Sequence, residues 1–186
     1  MVFMLEILTL RVRICYNTSN TMYNGAECKQ KPRKEVKKSM FIDEKTDLEI
    51  VRKFFTKDKF VALAGIEIDA VSETEATVSA RIDERHQNAN GCVQGGMLYT
   101  LADFAFAVLS NYTHPATVTQ AGNISYLRPA LGGRITATAR EVERAGHNTV
   151  CEVVIKDDTS QTVAVAHFNG FVKDIDKKEL WEKLSK

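Results

Sequence analysis

Two repeat lengths divide the chain. From Asp47, apolar residues fall at Leu48, Val51 and Phe54/Phe55, the spacing of one helical face, with Thr46 or Asp47 placed to cap it. Thr56 can cap a second short helical turn, Lys57 to Ala64, which Gly65 stops. The period then drops to two: Ile66 to Ala70 and Glu73 to Asp83 alternate apolar and polar side chains, with Ala76, Val78, Ala80 and Ile82 on one face. After a glycine-rich loop, His86 to Gly95, the run from Gly96 to Asn111 is too long and too strongly helix-forming to be a strand. Beyond Pro115, four segments rich in Val, Thr and Ile read as strands: Thr117 to Leu127, Arg134 to Ala145, Thr149 to Asp157 and Thr162 to Val172. Gly132-Gly133, Ala145 to Asn148 and Asp157 to Ser160 supply the turns, and a short amphipathic helix, Lys177 to Leu184, closes the chain. A helix apolar on nearly all sides must be covered on nearly all sides. The pattern therefore predicts an α+β fold in which an antiparallel β-sheet wraps around one long central helix.

Charge sharpens that expectation. From His86 to Leu127 the chain runs 42 residues with one Asp, Glu, Lys or Arg, and that residue is Asp103. At the chain's 26% charged residues, an even spread would put about eleven there, so the segment is built for burial. Asp103 sits midway along the apolar helix, where an unpaired ionised carboxylate costs several kcal/mol unless its pKa shifts or it finds partners. A functional carboxylate is one reading. The other is a structural acid that bonds backbone groups or faces a wet subunit interface.

With 186 residues, 44% of them hydrophobic, the chain suits one domain with a substantial core. A formal net charge of +1 gives no reason to expect nucleic acid or an anionic membrane as partner. The charge is unevenly divided: residues 1–39 hold eight Lys/Arg and three Asp/Glu, residues 40–186 seventeen and twenty-one. Residues 1–39 thus read as a basic, aperiodic extension, either a solvated tail or sequence upstream of a natural start at Met40, and residues 40–186 as the folded domain. The apolar opening, Met1 to Leu10, is too short for a membrane span. Four cysteines at no metal-ligand spacing fit a reduced, cytoplasmic protein, and Cys92 reads as a small buried thiol rather than a nucleophile. His86 and His114 read as loop residues, and His167 as a packed or hydrogen-bonded imidazole within a strand rather than a base.

Candidate chemistry gathers where the long helix begins. Its free N–H groups and the positive end of its dipole meet whatever binds there, and Gly95-Gly96 leaves room for close approach. The combination of Asn88, Gly91, Gln94-Gly95-Gly96 and Leu101-Ala102-Asp103 resembles the signature of hotdog-fold acyl-CoA thioesterases of the phenylacetate-degradation, or PaaI-like, group. Ile124 to Ala130 resembles that group's strand after the central helix, and Gly170 fits its final strand; the resemblance spans about Phe54 to Lys173.

The resemblance implies that Asp103 is the catalytic acid, acting across a dimer interface on a thioester held by the other subunit. It further implies that Asn88 orients water or the acid, that the Gly96 N–H donates to the thioester oxygen, and that Thr119 positions water or Asp103. Gln94 departs from the group's usual His: an amide donates a hydrogen bond but does not titrate. The expected reaction is hydrolysis of an acyl-CoA or aryl-CoA to free acid and CoA. Its partner is a second copy in a homodimer or homotetramer, and no cofactor or metal is expected. Gly95 belongs to the substrate-binding set. Among basic residues near strand ends, Arg128 and Arg144 with His147 are candidates for the CoA phosphates, alongside Arg134 and Arg140. Two rivals stand beside this reading. One is a non-catalytic acyl-CoA-binding or sensing module, which the Gln94 departure favours. The other is a dehydratase, which would need a strong base that the helix lacks.

Overall fold

The computed structural model describes residues 44–114 and 116–175; the extension at 1–39 and the closing helix at 177–184 lie outside them. Two helices come first, α1 (Glu44–Phe55) and α2 (Lys59–Leu63), followed by β1 (Ile66–Val71) and β2 (Glu75–Ile82). A single 3-10 turn, Glu84–His86, leads to the loop before α3 (Gly95–Thr113). Four strands follow: β3 (Thr117–Tyr126), β4 (Gly133–Ala145), β5 (Asn148–Lys156) and β6 (Thr162–Val172). All lie in one antiparallel sheet of order β1-β2-β4-β5-β6-β3, which leaves β1 and β3 as its edges.

The sheet accommodates α3 because small residues sit where the helix presses. Ala76, Ala80, Ala137, Ala139, Ala164 and Ala166 are all at most 2% exposed. Those small positions admit the large side chains of α3, among them Leu101, Phe106 and Leu109, to close packing. Phe106 stacks on Phe168 with ring centroids 5.5 Å apart, and each such buried side chain contributes about 1.5–3 kcal/mol. Phe55 of α1 meets Phe104 of α3 edge-on at 5.1 Å, anchoring the helical pair to the core.

The helix boundaries differ from the sequence reading by a few residues. α1 starts at Glu44, three residues before Asp47. The cap of α2 is Asp58, not Thr56: its Oδ1 accepts from the N–H groups of Phe60 and Val61 at 3.1 and 3.0 Å. A carboxylate two residues nearer the helix satisfies orphan donors that Thr56 does not reach; the Thr56 hydroxyl instead donates to the Lys53 carbonyl. α3 ends at Thr113 with His114 extended, as the following Pro115 requires.

The segment from His86 to Leu127, whose one charged residue is Asp103, is buried only in part. Its helical portion is buried, but β3 is exposed along most of its length, with Val118 at 42% and Tyr126 at 52%, and Leu127 just beyond it is at 54%. An edge strand without charges is an open pairing surface.

Candidate active site

One face of α3 lies along the inner side of β3, and three residues at helical spacing meet it: Gly95, Tyr99 and Asp103. Tyr126 Oη donates to the Gly95 carbonyl at 2.8 Å. Tyr99 reaches beneath Gly122, where an added Cβ would lie 2.4 Å from both Tyr99 Oη and Phe168 Cε1. Thr119 Oγ1 donates to Asp103 Oδ1 at 2.9 Å.

The third contact depends on a β-bulge. Thr119 pairs with Gly170 of β6 and Ala121 with Asn169, so Gln120 is the extra residue. Directly opposite residues share a face, and β6 turns its even-numbered residues inward. Tyr126, Ile124 and Gly122 therefore face α3; without the bulge Gln120 would follow them and Thr119 would point away.

Asp103 is half-buried. Loss of hydration pushes its pKa above the ordinary carboxylate value; the Thr119 hydrogen bond works against that rise, and the negative charge of Asp58 adds to it. Asp58, the cap of α2, is thus an electrostatic neighbour of the acid that sequence reading passed over. Beside it, a cleft of about 490 Å³ is lined by Asp58, Arg52, Phe55, Val61, Ile68 and Phe104.

The helix start is occupied by its own chain. Gln94 is the N-cap of α3: its Oε1 accepts from the Gly96 N–H and, at 3.2 Å, from that of Met97. The Gly96 N–H assigned to a thioester oxygen is therefore held by a side-chain carbonyl, and Gln94 acts here as acceptor rather than donor. Asn88 Oδ1 is used locally, accepting from the N–H groups of Asn90 at 2.8 Å and Cys92 at 3.3 Å. These bonds shape the loop with Gly91, whose φ of +76° favours glycine. They leave the Asn88 amide nitrogen as its group for an outside partner.

Asp103 lies seven residues beyond Gly96, about 10 Å along the axis at 1.5 Å per residue. One carbonyl cannot contact both groups of a single chain.

The basic candidates for phosphate binding separate. Arg128 follows β3 at the sheet end that holds Gly95, and its Nη1 donates to the Thr162 carbonyl at 2.8 Å. Arg144 and His147 sit at the opposite end, beyond the C-terminus of α3. There Arg144 Nη1 lies 2.9 Å from His114 Nδ1, while His147 Nδ1 bonds the Val172 carbonyl at 2.9 Å and its ring stacks on Phe171. Arg134 pairs with Asp69 and Arg140 with Glu75.

The remaining histidines differ in burial. His86 is 6% exposed, accepting from the Asp83 N–H and bonding the Ala64 carbonyl; His114 is buried against Glu141, while His167 is exposed. Cys92 is half-buried, and burial pushes the Cys151 thiol up to about 12, which leaves it inert. Among the described residues, no group of three or more His, Cys, Asp or Glu could hold a metal, and no helix is long and apolar enough to cross a membrane.

A six-stranded antiparallel sheet wrapped around one long helix, with an acid on that helix and glycines at its start, defines a hotdog-fold protein. Residues 49–172 match the family described as Domain of unknown function (DUF4442). The chain belongs to that family and, among hotdog proteins, to the PaaI-like thioesterase group. It is similar to Acyl-coenzyme A thioesterase PaaI of Escherichia coli (strain K12), being 31% identical over 112 residues, which are 60% of this chain and 80% of that protein. The solved structure of the E. coli PaaI protein from the phenylacetic acid degradation operon matches with a TM-score of 0.65 at 27% identity, covering 70% of this chain and 95% of that one. The structure of smu.793 from Streptococcus mutans UA159, solved bound to acetyl CoA, matches with a TM-score of 0.56 at 26% identity, covering 58% and 88%.

Proposed function

We propose that two copies of this chain together hydrolyse an acyl-CoA or aryl-CoA thioester to the free acid and CoA. The observation that carries this reading is the Asp103–Thr119 pair: a half-buried carboxylate of raised basicity, held in one orientation by a hydroxyl. Asp103 takes a proton from water, the hydroxide adds to the thioester carbon, and the C–S bond breaks as the tetrahedral oxyanion collapses. The proton then passes from Asp103 to the departing CoA thiolate. Direct attack by Asp103, through an anhydride that water then opens, balances equally. The Gly96 N–H is the oxyanion donor, a role worth about 3 kcal/mol or more per donor in characterised enzymes. Asn88 contributes its amide donors to the water or the acyl group, and Gln94 gives up the Gly96 N–H as the thioester oxygen arrives. No step calls on a cofactor.

The separation of Asp103 from Gly96 favours a site shared between copies, with the acid of one and the helix start of the other. The uncharged, exposed edge at β3 supports a homodimer, which a tetramer would contain twice. Arg128, at the Gly95 end of the sheet, is the first candidate for a CoA phosphate; Arg144 and His147 would reach the same CoA only from the other copy. We read the compartment as cytoplasmic from the cysteine pattern, in which Cys92 and Cys151 are both free.

The hold of Gln94 on the Gly96 N–H favours one rival, a module that binds acyl-CoA without turning it over. Free-thiol release from a panel of short, medium, long and aryl acyl-CoAs separates the two. Turnover of any member supports the enzyme; tight binding of panel members without thiol release supports the sensing module. Rapid hydration of crotonyl-CoA in place of thiol release would make the protein a dehydratase.

A further inference from the structure

We propose that Gln94 is a specificity-determining residue that competes with the ligand for the Gly96 N–H, so that the site selects molecules bringing a carbonyl oxygen of their own. The inference rests on the reading that Gly96 receives the thioester oxygen. Gln94 Oε1 is itself an sp2 carbonyl oxygen, and it already sits on the Gly96 and Met97 amides at the start of a nineteen-residue helix. The chain thereby supplies its own substitute for a substrate carbonyl.

Two features make the substitute exchangeable. Gln94 and Gly96 are both exposed, and among the described residues the Gln94 side chain has no recorded hydrogen bond besides those two. The common N-caps are the short side chains Ser, Thr, Asp and Asn; glutamine carries an extra rotatable bond, which it regains when it lets go. Gly96 keeps the position open to any carbonyl, because a Cβ there would come within 2.7 Å of the resident oxygen. A ligand with a carbonyl replaces one such bond with an equivalent one. A ligand without one cannot displace Gln94 from the amides and binds without gaining them.

The test compares two CoA derivatives of equal chain length: an S-(2-oxoalkyl)-CoA, which carries a ketone, and the S-alkyl thioether, which does not. Each is titrated calorimetrically at pH 7.5 into the wild-type protein, Gln94→Ala and the isosteric Gln94→Glu. Removing the competitor should tighten the ketone about fivefold, the value of one ordinary hydrogen bond, and leave the thioether within about twofold. Gln94→Glu sets an anion on the helix start, so it should weaken the ketone more than the thioether. The thioether also controls for repulsion between the new charge and CoA. Weaker ketone binding in Gln94→Ala would overturn the proposal and make Gln94 a direct ligand. Equal effects on both analogues would overturn it in favour of a purely structural cap. Thiol release is measured separately: a protein that shows the ketone preference but releases no thiol keeps this inference and loses the hydrolase.

Discussion

Thr119 Oγ1 donates a 2.9 Å hydrogen bond to Asp103 Oδ1 across the junction of β3 and α3. The bond opposes the rise that burial imposes on the carboxyl. Thr119→Val keeps the shape and removes the donor, so the Asp103 pKa should climb further. A base works only when ionised, so the acid limb of kcat/KM should move to higher pH, with activity at low pH falling first. A pH–rate profile checks this; an unmoved limb would separate Thr119 from the titration of Asp103.

Gln120 matters through the backbone. Deleting it removes the extra residue and leaves Thr119 beside Ala121 and opposite Gly170, still turned toward Asp103. The deletion should therefore keep the wild-type acid limb while the protein stays folded by circular dichroism; a limb shifted like that of Thr119→Val would show that the bulge itself sets the Thr119–Asp103 contact. Gln120→Ala keeps the bulge and should leave the profile unchanged.

Gly122 is the tightest point of the α3–β3 contact. A methyl group there would overlap Phe168 and Tyr99, so Gly122→Ala should destabilise by about 1–3 kcal/mol in urea unfolding. A neutral result would mean that the strand moves away from Tyr99 at little cost.

Asp103→Asn should exchange activity for stability. The Asp103 pKa is raised in the folded protein, so the folded state favours the protonated form more than the unfolded chain does. The stability Asp103 contributes is therefore complete below the ordinary carboxylate value of 3.8 and is lost as pH rises through the higher folded value. Asp103→Asn, which cannot ionise, should raise the melting temperature at neutral pH, and that gain should fade on acidification. In the same variant, thiol release should fall by about 10²–10⁴, the usual worth of a positioned base. Thermal melts across pH check the first outcome and kinetics the second.

The strands and α3 were legible because their hydrophobic periods differ and their lengths are unambiguous. Asp103 stood out because it is a lone charge in an apolar run, and the resemblance linked it to Thr119 before any contact was visible. What stayed hidden depends on side-chain direction. The bulge at Gln120 has no signature in a Thr-Gln-Ala sequence, and a second bulge at Val142 brings Glu141 and Arg144 onto the same side beside His114. Nothing in one dimension links a histidine after a helix to a glutamate 27 residues later. The Gln94 cap was hidden because glutamine is rarely first choice for that position. Asp58 lies 45 residues before Asp103 and comes near it only when α2 folds back over the core. The phosphate candidates divide between the two ends of the sheet for a related reason: strand ends were legible, but not which end of the sheet each one occupied.

Subunit complementation tests whether Asp103 of one copy and Gly96 of another act on the same thioester. Asp103→Asn lacks the base, and Gly96→Pro lacks the amide donor in the first turn of α3, where no intrahelical backbone bond is lost. Each alone should release almost no thiol. After the two are unfolded and refolded together, half the dimers carry one chain of each kind, and each of these has one intact shared site. Activity should recover to about a quarter of the wild-type value, with light scattering confirming dimers. Absence of recovery in verified mixed dimers, beside an active wild-type protein, would contradict the shared site and place acid and amide on separate tasks.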